Sequence, residues 1–173
     1  MRRAHAKDVL LVSKSNQKTL DLLKAGASLE KRTGYEIDIL VEKATADRLE
    51  LSARLRRAAK AATKGNQRSF RSATSRAYYS MYHALRATAY FVHKGDDHEE
   101  HQKLPSGIPN DFPNRQDWEN DLKNARYERN RADYDPYPKN DMIFAPIATQ
   151  LIRRAEDLFP IDRSYLKKKG CAL

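Results

Sequence analysis

Apolar residues recur at helical spacing along most of the chain and at strand spacing almost nowhere. The longest register runs over 67–94, where Phe70, Ala73, Ala77, Met81, Leu85, Thr88 and Val92 follow at intervals of three and four. Tyr78, Tyr79, Tyr82 and Tyr90 add aromatic bulk around that stripe, and Gly95-Asp96 ends it. Residues 46–64 predict a second helix, with Leu51, Leu55, Ala58 and Ala62 on one face and Arg57, Lys60 and Lys64 on another. Gly65-Asn66 stops it. Residues 115–130 predict a third, with Trp118, Leu122 and Ala125 inward. Residues 140–158 predict the last, with Ile143, Ile147, Leu151, Ala155 and Leu158 on one face and Pro160 closing it.

Nearer the start, 16–27 reads as a short helix capped by Ser15, with Leu20, Leu23 and Ala27 on one face and Gly26 near its end. Tyr35, Ile37, Ile39 and Val41 alternate as in a strand, but no partner strand is visible, and helix is the reading taken for 35–42. Pro105, Gly107, Pro109 and Pro113 make 95–114 a linker, because prolines at that density cannot continue a helix. Tyr134-Asp135-Pro136-Tyr137-Pro138 breaks or kinks the chain. The pattern predicts an all-α protein. An extension over 1–45 precedes an up-and-down bundle of four to five helices over 46–160, and a frayed basic tail occupies 161–173.

Charge sharpens this picture. The 173 residues carry a formal net charge of +10, and the whole excess lies in residues 1–76, since 77–173 balance at zero. Residues 48–76 hold nine basic side chains against Glu50 alone. Such a stripe attracts phosphate by counterion release, so nucleic acid is the first partner to weigh. A solvated helix face that keeps the protein in solution is the alternative. The lack of a run of ~18 apolar residues excludes a helical membrane span from the sequence pattern, and Val9-Leu10-Leu11-Val12 is too short for a signal-peptide core. One cysteine, Cys171, excludes an intramolecular disulfide and a multi-cysteine zinc site, and predicts a reducing cytoplasm. There is no Gly-rich phosphate loop, Gly-x-Ser-x-Gly or His-Glu-x-x-His, so no cofactor is expected.

Three constellations remain. Asp96-Asp97-His98-Glu99-Glu100-His101 sets two imidazoles among four carboxylates; a solvated acidic loop is favoured there over a divalent metal site. Arg76 and His83, seven apart, share a helix face, as do Arg86 and His93. An Arg–His pair can grip and cut a phosphodiester, and a satisfied interhelix histidine is the simpler reading of each. Arg126-Tyr127-Glu128-Arg129-Asn130-Arg131-Ala132-Asp133-Tyr134 packs three arginines, an amide, a carboxylate and a phenol into nine residues. Arginine suits phosphate through its bidentate fork. Arg129 and Asp133 stand four apart, where a simple helix ion pair is expected. Arg129 and Tyr134 stand five apart, so they are expected to meet only through a kink before Pro136 or across a dimer interface.

The stretch from Ser75 to Ala87, with its Tyr78-Tyr79 pair and Tyr82-His83-Ala84 step, resembles the second core helix of HEPN proteins. Arg129-Asn130-Arg131-Ala132-Asp133-Tyr134 resembles the other signature of that family, in a prokaryotic branch with an Arg-x-x-Ala-Asp-Tyr ending. The resemblance covers roughly 46–160. It implies a HEPN-like bundle, commonly a homodimer, and often a metal-independent endoribonuclease that acts as a toxin beside a nucleotidyltransferase antitoxin or in antiviral defence. It gives Arg129 and Asn130 the roles of the motif Arg and polar residue, with Asp133 in the same catalytic stretch. Tyr134 stands where the family has a histidine. It also implies that Tyr134 or Tyr137 is a modification target for the nucleotidyltransferase.

Cutting RNA without a metal requires a proton acceptor for the 2′-hydroxyl, a donor for the leaving oxygen, and cations on the phosphate. Arg126, Arg131 and Arg129 are the candidate phosphate grips at the motif, and Arg57, Lys60 and Lys64 are those on the basic helix. Tyrosine is a poor base at pH 7. Either Tyr134 acts weakly, or His83 or His101 supplies the imidazole from elsewhere, or the module binds RNA, a nucleotide or a nucleotidyltransferase without cutting. A purely structural helical bundle is the remaining alternative.

Overall fold

A computed structural model describes residues 6–173; the first five residues of the expected extension lie outside the described residues. Every regular element among them is helical. They form two compact units, one ending at Leu40 and the other spanning Val41–Leu173.

The first unit holds α1 (Ala6–Lys14) and α2 (Gln17–Thr33). α2 is longer than the predicted 16–27 and is capped by Asn16, whose side chain accepts from the Thr19 amide at 2.9 Å. Ser15 instead turns its hydroxyl back to Leu11 O of α1. Gly26 sits inside the helix, and Gly34, at φ +73, makes the left-handed stop, its N–H bonding Glu30 O. The alternating 35–42 segment is helical from Ile37, as the start of α3 (Ile37–Ala62).

In the second unit α4 (Phe70–His93) is the central element, with 13 buried residues. The predicted stripe forms its core face: Ala73, Ala77, Met81, Leu85 and Thr88 are all fully buried. α3 crosses it closely enough for Ser52 and Ser80 to exchange hydrogen bonds, each hydroxyl donating to the other's carbonyl at 2.8 and 2.9 Å. Small residues at such a crossing let two backbones approach. α6 (Arg115–Tyr134) turns Trp118, Leu122 and Ala125 inward, as its spacing predicts.

α7 (Ala145–Lys168) departs from its sequence reading at both ends. Asp141–Phe144 form a 3-10 turn that exposes Ile143, so Phe144 and Ala148 take the buried positions. Pro160 lies inside the helix instead of closing it, and the expected fraying is absent, since Tyr165, Leu166 and Cys171 are buried. The continuing apolar positions outweigh the lost hydrogen bond at the proline.

The linker is packed as well. It contains a single helical turn, α5 (Leu104–Gly107), and buries Leu104, Ile108 and Phe112. His93 bonds Gly107 O through Nε2 at 2.9 Å, the structural role expected of it, and the His98 ring lies so close that a Cβ at 107 would stand 2.4 Å from it. Only glycine fits there. No helix among the described residues is long and apolar enough to cross a membrane.

Candidate functional site

Two charged side chains lock α4 to the end of α6 and to the 3-10 turn that follows it. Asp141 caps the start of α4, accepting from the Phe70 amide at 2.6 Å and the Arg71 amide at 3.0 Å. Arg71 then reaches back to the end of α6 and donates to four carbonyls: Arg131 O, Ala132 O, Asp135 O and Pro138 O, at 3.2, 3.0, 2.8 and 2.6 Å. The last carbonyls of a helix have no partner of their own, and a guanidinium fork supplies several donors at once. This clamp sets where the 129–138 segment sits. Neither residue stands out in the sequence.

α6 stays helical through Tyr134, so the kink expected before Pro136 is not what joins Arg129 and Tyr134. The two meet on the intact helix, Arg129 Nη1 standing 3.4 Å from the Tyr134 hydroxyl, because both side chains are long enough to bridge the angle between them. Arg129 is 9% exposed. Its Nη1 also donates to the Asn130 side-chain oxygen at 2.8 Å, and its Nη2 donates to the Tyr79 hydroxyl on α4. The expected helix ion pair forms as well: Asp133 lies 3.1 Å from Nε and accepts from Ser75 of α4 at 3.2 Å. The guanidinium lies over the Tyr79, Tyr134 and Tyr78 rings at 4.8, 5.4 and 5.6 Å. Arg129 is therefore an organising residue before it is a phosphate grip. It spends its donors on two phenol oxygens, and each phenol's own hydrogen is turned away from it and left to donate elsewhere.

His101 joins this group from the linker. Its Nδ1 lies 2.6 Å from the Tyr78 hydroxyl. Burial raises the Tyr78 pKa far above its ordinary value, so the phenol keeps its proton. Burial, reinforced by the charges of Arg129 and Arg126, lowers the His101 pKa, so the imidazole is neutral at pH 7. A protonated phenol beside a neutral imidazole fixes the tautomer: Tyr78 donates to Nδ1, and the ring hydrogen resides on Nε2. The rings of Tyr79 and Tyr82 flank His101 at centroid distances of 5.8 and 4.3 Å. Arg126 is half-buried, and its charge acts on both Tyr78 and His101.

The remaining candidates are distributed around this centre. His83 stacks on Tyr79 at 6.4 Å, and its buried Nδ1 has no hydrogen-bond partner, so it is not the satisfied interhelix histidine expected. Burial, then the charges of Arg86 and Arg48, pushes its pKa down to about 4. Arg131 pairs with Glu128 at 2.8 Å. Tyr134 and Tyr137 are 72% and 64% exposed. Arg57 on α3 and Lys64, two residues past its end, are exposed, while Lys60 is paired with Glu156 of α7.

In the acidic linker Asp97, Glu99 and Glu100 are exposed, as a solvated loop has them, whereas Asp96 is held. Asp96 binds Arg86 Nε at 2.9 Å and Arg48 at 3.0 Å, and Tyr82 donates to Glu99 O. Hydrogen bonding from Arg86 holds the Asp96 carboxyl below its usual range. Among the described residues no three His, Cys, Asp or Glu side chains are placed to hold a metal ion.

Around Arg129 the open polar groups are thus the Tyr79 and Tyr134 hydroxyl hydrogens, the Arg126 guanidinium and the His101 Nε2–H. A set made of donors suits an anion with several oxygens, and a phosphodiester is such a group. Comparison of the chain with family models, with curated proteins and with solved structures returns no match. The class of protein that the geometry defines is an all-α bundle with an arginine-organised donor cluster at the junction of α4, α6 and the 95–114 linker.

Proposed function

We propose that this protein acts on RNA as a metal-independent endoribonuclease, a HEPN-type toxin or antiviral defence effector. The observation that carries this reading is the donor cluster around Arg129, which brings a histidine from outside the motif next to an arginine that lacks one within it. Arg126, Tyr79 and Tyr134 hold the scissile phosphate. The Asp133 carboxylate accepts the 2′-hydroxyl proton. The bound anion raises the His101 pKa, so the ring takes up a proton from water at Nδ1, the Tyr78 hydroxyl turning to accept it; the imidazolium then protonates the leaving 5′-oxygen through Nε2 and returns to the neutral ring, and Asp133 gives its proton back to water. Arg57 on α3 and Lys64 just beyond it hold flanking phosphates in a salt-dependent way.

The reading includes a homodimer and a small nucleotidyltransferase antitoxin that modifies Tyr134 or Tyr137, both of which are exposed. Incubation with a nucleotidyltransferase encoded beside it and ATP is expected to add a nucleotide mass to one of the two; neither altered by mass spectrometry would remove that step.

A second reading has its own support: Arg129 has little surface and few donors to spare, as a binding module without catalysis would also have. Cleavage of labelled RNA in EDTA separates the two. Wild type, Arg126→Ala, His101→Ala, Tyr134→Phe and His83→Ala are compared. Cleavage lost in His101→Ala and Arg126→Ala, and kept in His83→Ala, supports catalysis. Salt-sensitive RNA binding without cleavage supports the binding module. Neither cleavage nor binding rejects the RNA reading.

A further inference from the structure

We propose that the groove along α6 between Tyr127 and Tyr134 is a nucleobase subsite, which stacks an unpaired base of the RNA whose phosphate the Arg129 cluster holds. This rests on the RNA reading above. It supplies what that reading leaves unrecognised, since every group named there holds phosphate or moves a proton.

The fold makes no use of the Tyr127 ring in its core. Tyr127 is 63% exposed and Tyr134 72%, on a helix that turns its other large aromatic, Trp118, inward. Seven residues apart, the two tyrosines leave α6 within ~20° of the same direction. With Asn130, Arg131, Asp135 and Pro136 they line an open groove of about 610 Å³, within the roughly 300–1,000 Å³ of small-ligand sites. A guanidinium already lies against each ring: Arg131 over Tyr127 at 5.8 Å and Arg129 over Tyr134 at 5.4 Å. Arg131 is fixed in turn by Glu128 at 2.8 Å and lies over the Phe144 ring. The rings are thus backed by cations that are themselves held, and a flat group entering the groove meets aromatic faces already in place.

The polar groups choose the occupant. The Asn130 side-chain oxygen accepts from Arg129 Nη1, and a guanidinium only donates, so the amide is oriented with its two N–H groups open. Asp135 accepts from the Tyr137 amide at 2.9 Å through Oδ1, which leaves Oδ2 open as an acceptor. A donor and an acceptor beside flat aromatic faces suit the Watson–Crick edge and the π-face of an unpaired base, which a duplex would hide. A proline-rich peptide is the other class of ligand that exposed tyrosines attract, but its prolines have no N–H for Asp135. Position agrees with RNA. Tyr134 belongs to both sites: its hydroxyl stands 3.4 Å from Arg129 Nη1, while its ring lines the groove. A nucleotide with its phosphate on the Arg129 cluster therefore has its base beside Tyr134.

The test is titration of the full chain with a short single-stranded 2′-O-methyl RNA, which has no free 2′-hydroxyl and is not cut by the proposed reaction. The same oligomer without bases, the corresponding duplex and a proline-rich peptide are run in parallel. Tyr127→Ala is expected to weaken binding of the single strand roughly 10- to 100-fold, and Tyr127→Phe to keep it, because stacking needs the ring and not the hydroxyl. The slope of log Kd against log salt should not change, since no phosphate contact is removed. The duplex and the abasic oligomer should bind more weakly than the single strand, and on the abasic oligomer Tyr127→Ala should match wild type. An unchanged Tm shows that the variant is folded. Single-stranded RNA that binds Tyr127→Ala and wild type equally overturns the subsite and leaves the RNA reading standing. Binding with the Tyr127 effect, but without cleavage of ordinary RNA, supports the subsite and removes only the nuclease. No binding of any oligomer overturns both, as does peptide binding through Tyr127 in place of RNA.

Discussion

Two arginines that pack against α4, Arg86 of α4 itself and Arg129 of α6, sit in opposite chemical settings. Arg86, with Arg48, is held by carboxylates, Asp96 and Glu99, at 20% and 23% side-chain exposure for the two guanidinia. Arg129 is held mainly by neutral oxygens, those of Tyr79, Tyr134 and Asn130, with Asp133 alone opposing its charge. Carboxylates accept and give nothing outward, so the Arg86 setting is a closed ion-pair knot that fastens the linker to α4. Phenols accept from the guanidinium and still carry a hydrogen, so the Arg129 setting passes its donor character to its surroundings. The same side chain builds an ion-pair fastening in one place and a cluster of outward donors in the other, and its partners decide which.

The largest expected effect comes from removing the clamp that shapes the Arg129 setting. Arg71→Ala strips a donor from four carbonyls and should cost about 3 kcal/mol, read as a fall in Tm of about 10 °C. Cleavage should fall with it, because the 134–138 turn loses its anchor. The next contrast pits the two settings directly. Arg129→Ala should lower RNA cleavage roughly 100-fold. Arg86→Ala should leave cleavage within about threefold while costing ~2 kcal/mol in urea unfolding, because Asp96 is left with Arg48 alone. Equal losses of activity in the two variants would erase the comparison.

Acid unfolding probes the imidazoles lying between the two arginines. The folded pKa values of His83 and His101 are lowered, so the folded chain binds fewer protons than the unfolded one. Their contribution is complete above the ordinary histidine pKa and is lost as pH falls toward about 4, the folded value at His83. Stability should drop by about 2 kcal/mol over that span, allowing for partial solvent screening, and His83→Gln should flatten the curve.

The smallest effect has the opposite sign and extends the comparison to carboxyls. Asp162 has a hydroxyl for a partner, Thr88 Oγ1 at 2.5 Å, and its Oδ2 has no hydrogen-bond partner. Burial raises its pKa well above the ordinary value, whereas Asp96, among guanidinia, is lowered. A carboxyl whose folded pKa is raised stabilises the fold most at low pH and loses that contribution as pH rises. Asp162→Asn should therefore raise stability at pH 7 by ~1 kcal/mol, with a gain that is larger at pH 8 than at pH 5.

Helix over 37–42 is read against the alternating pattern, for want of a partner strand, whereas periodicity alone placed the inner face of α4 and the Trp118 face of α6. It also placed Arg129, Asn130, Asp133 and Tyr134 on one short segment. These are local matters, settled by side-chain spacing over a few turns and by which residues can terminate a helix. Local rules failed where a distant partner overrode them. Pro160 reads as a stop until Leu158, Tyr165 and Leu166 are seen to share a buried face on both sides of it. The prolines of 95–114 read as an open linker until Leu104, Ile108 and Phe112 are seen to be buried and Gly107 to admit the His98 ring.

The cluster itself belongs to the tertiary structure. Tyr79 and Arg129 are fifty residues apart, Tyr78 and His101 are 23 apart, and Arg71 lies more than sixty from Asp135 and Pro138. No periodicity links such positions, because only the packing of α6 and the linker on α4 closes those loops. The sequence determined which residues are able to donate, accept and carry charge. The fold decided which of them meet, and so brought the His101 imidazole of the linker to the tyrosines around Arg129.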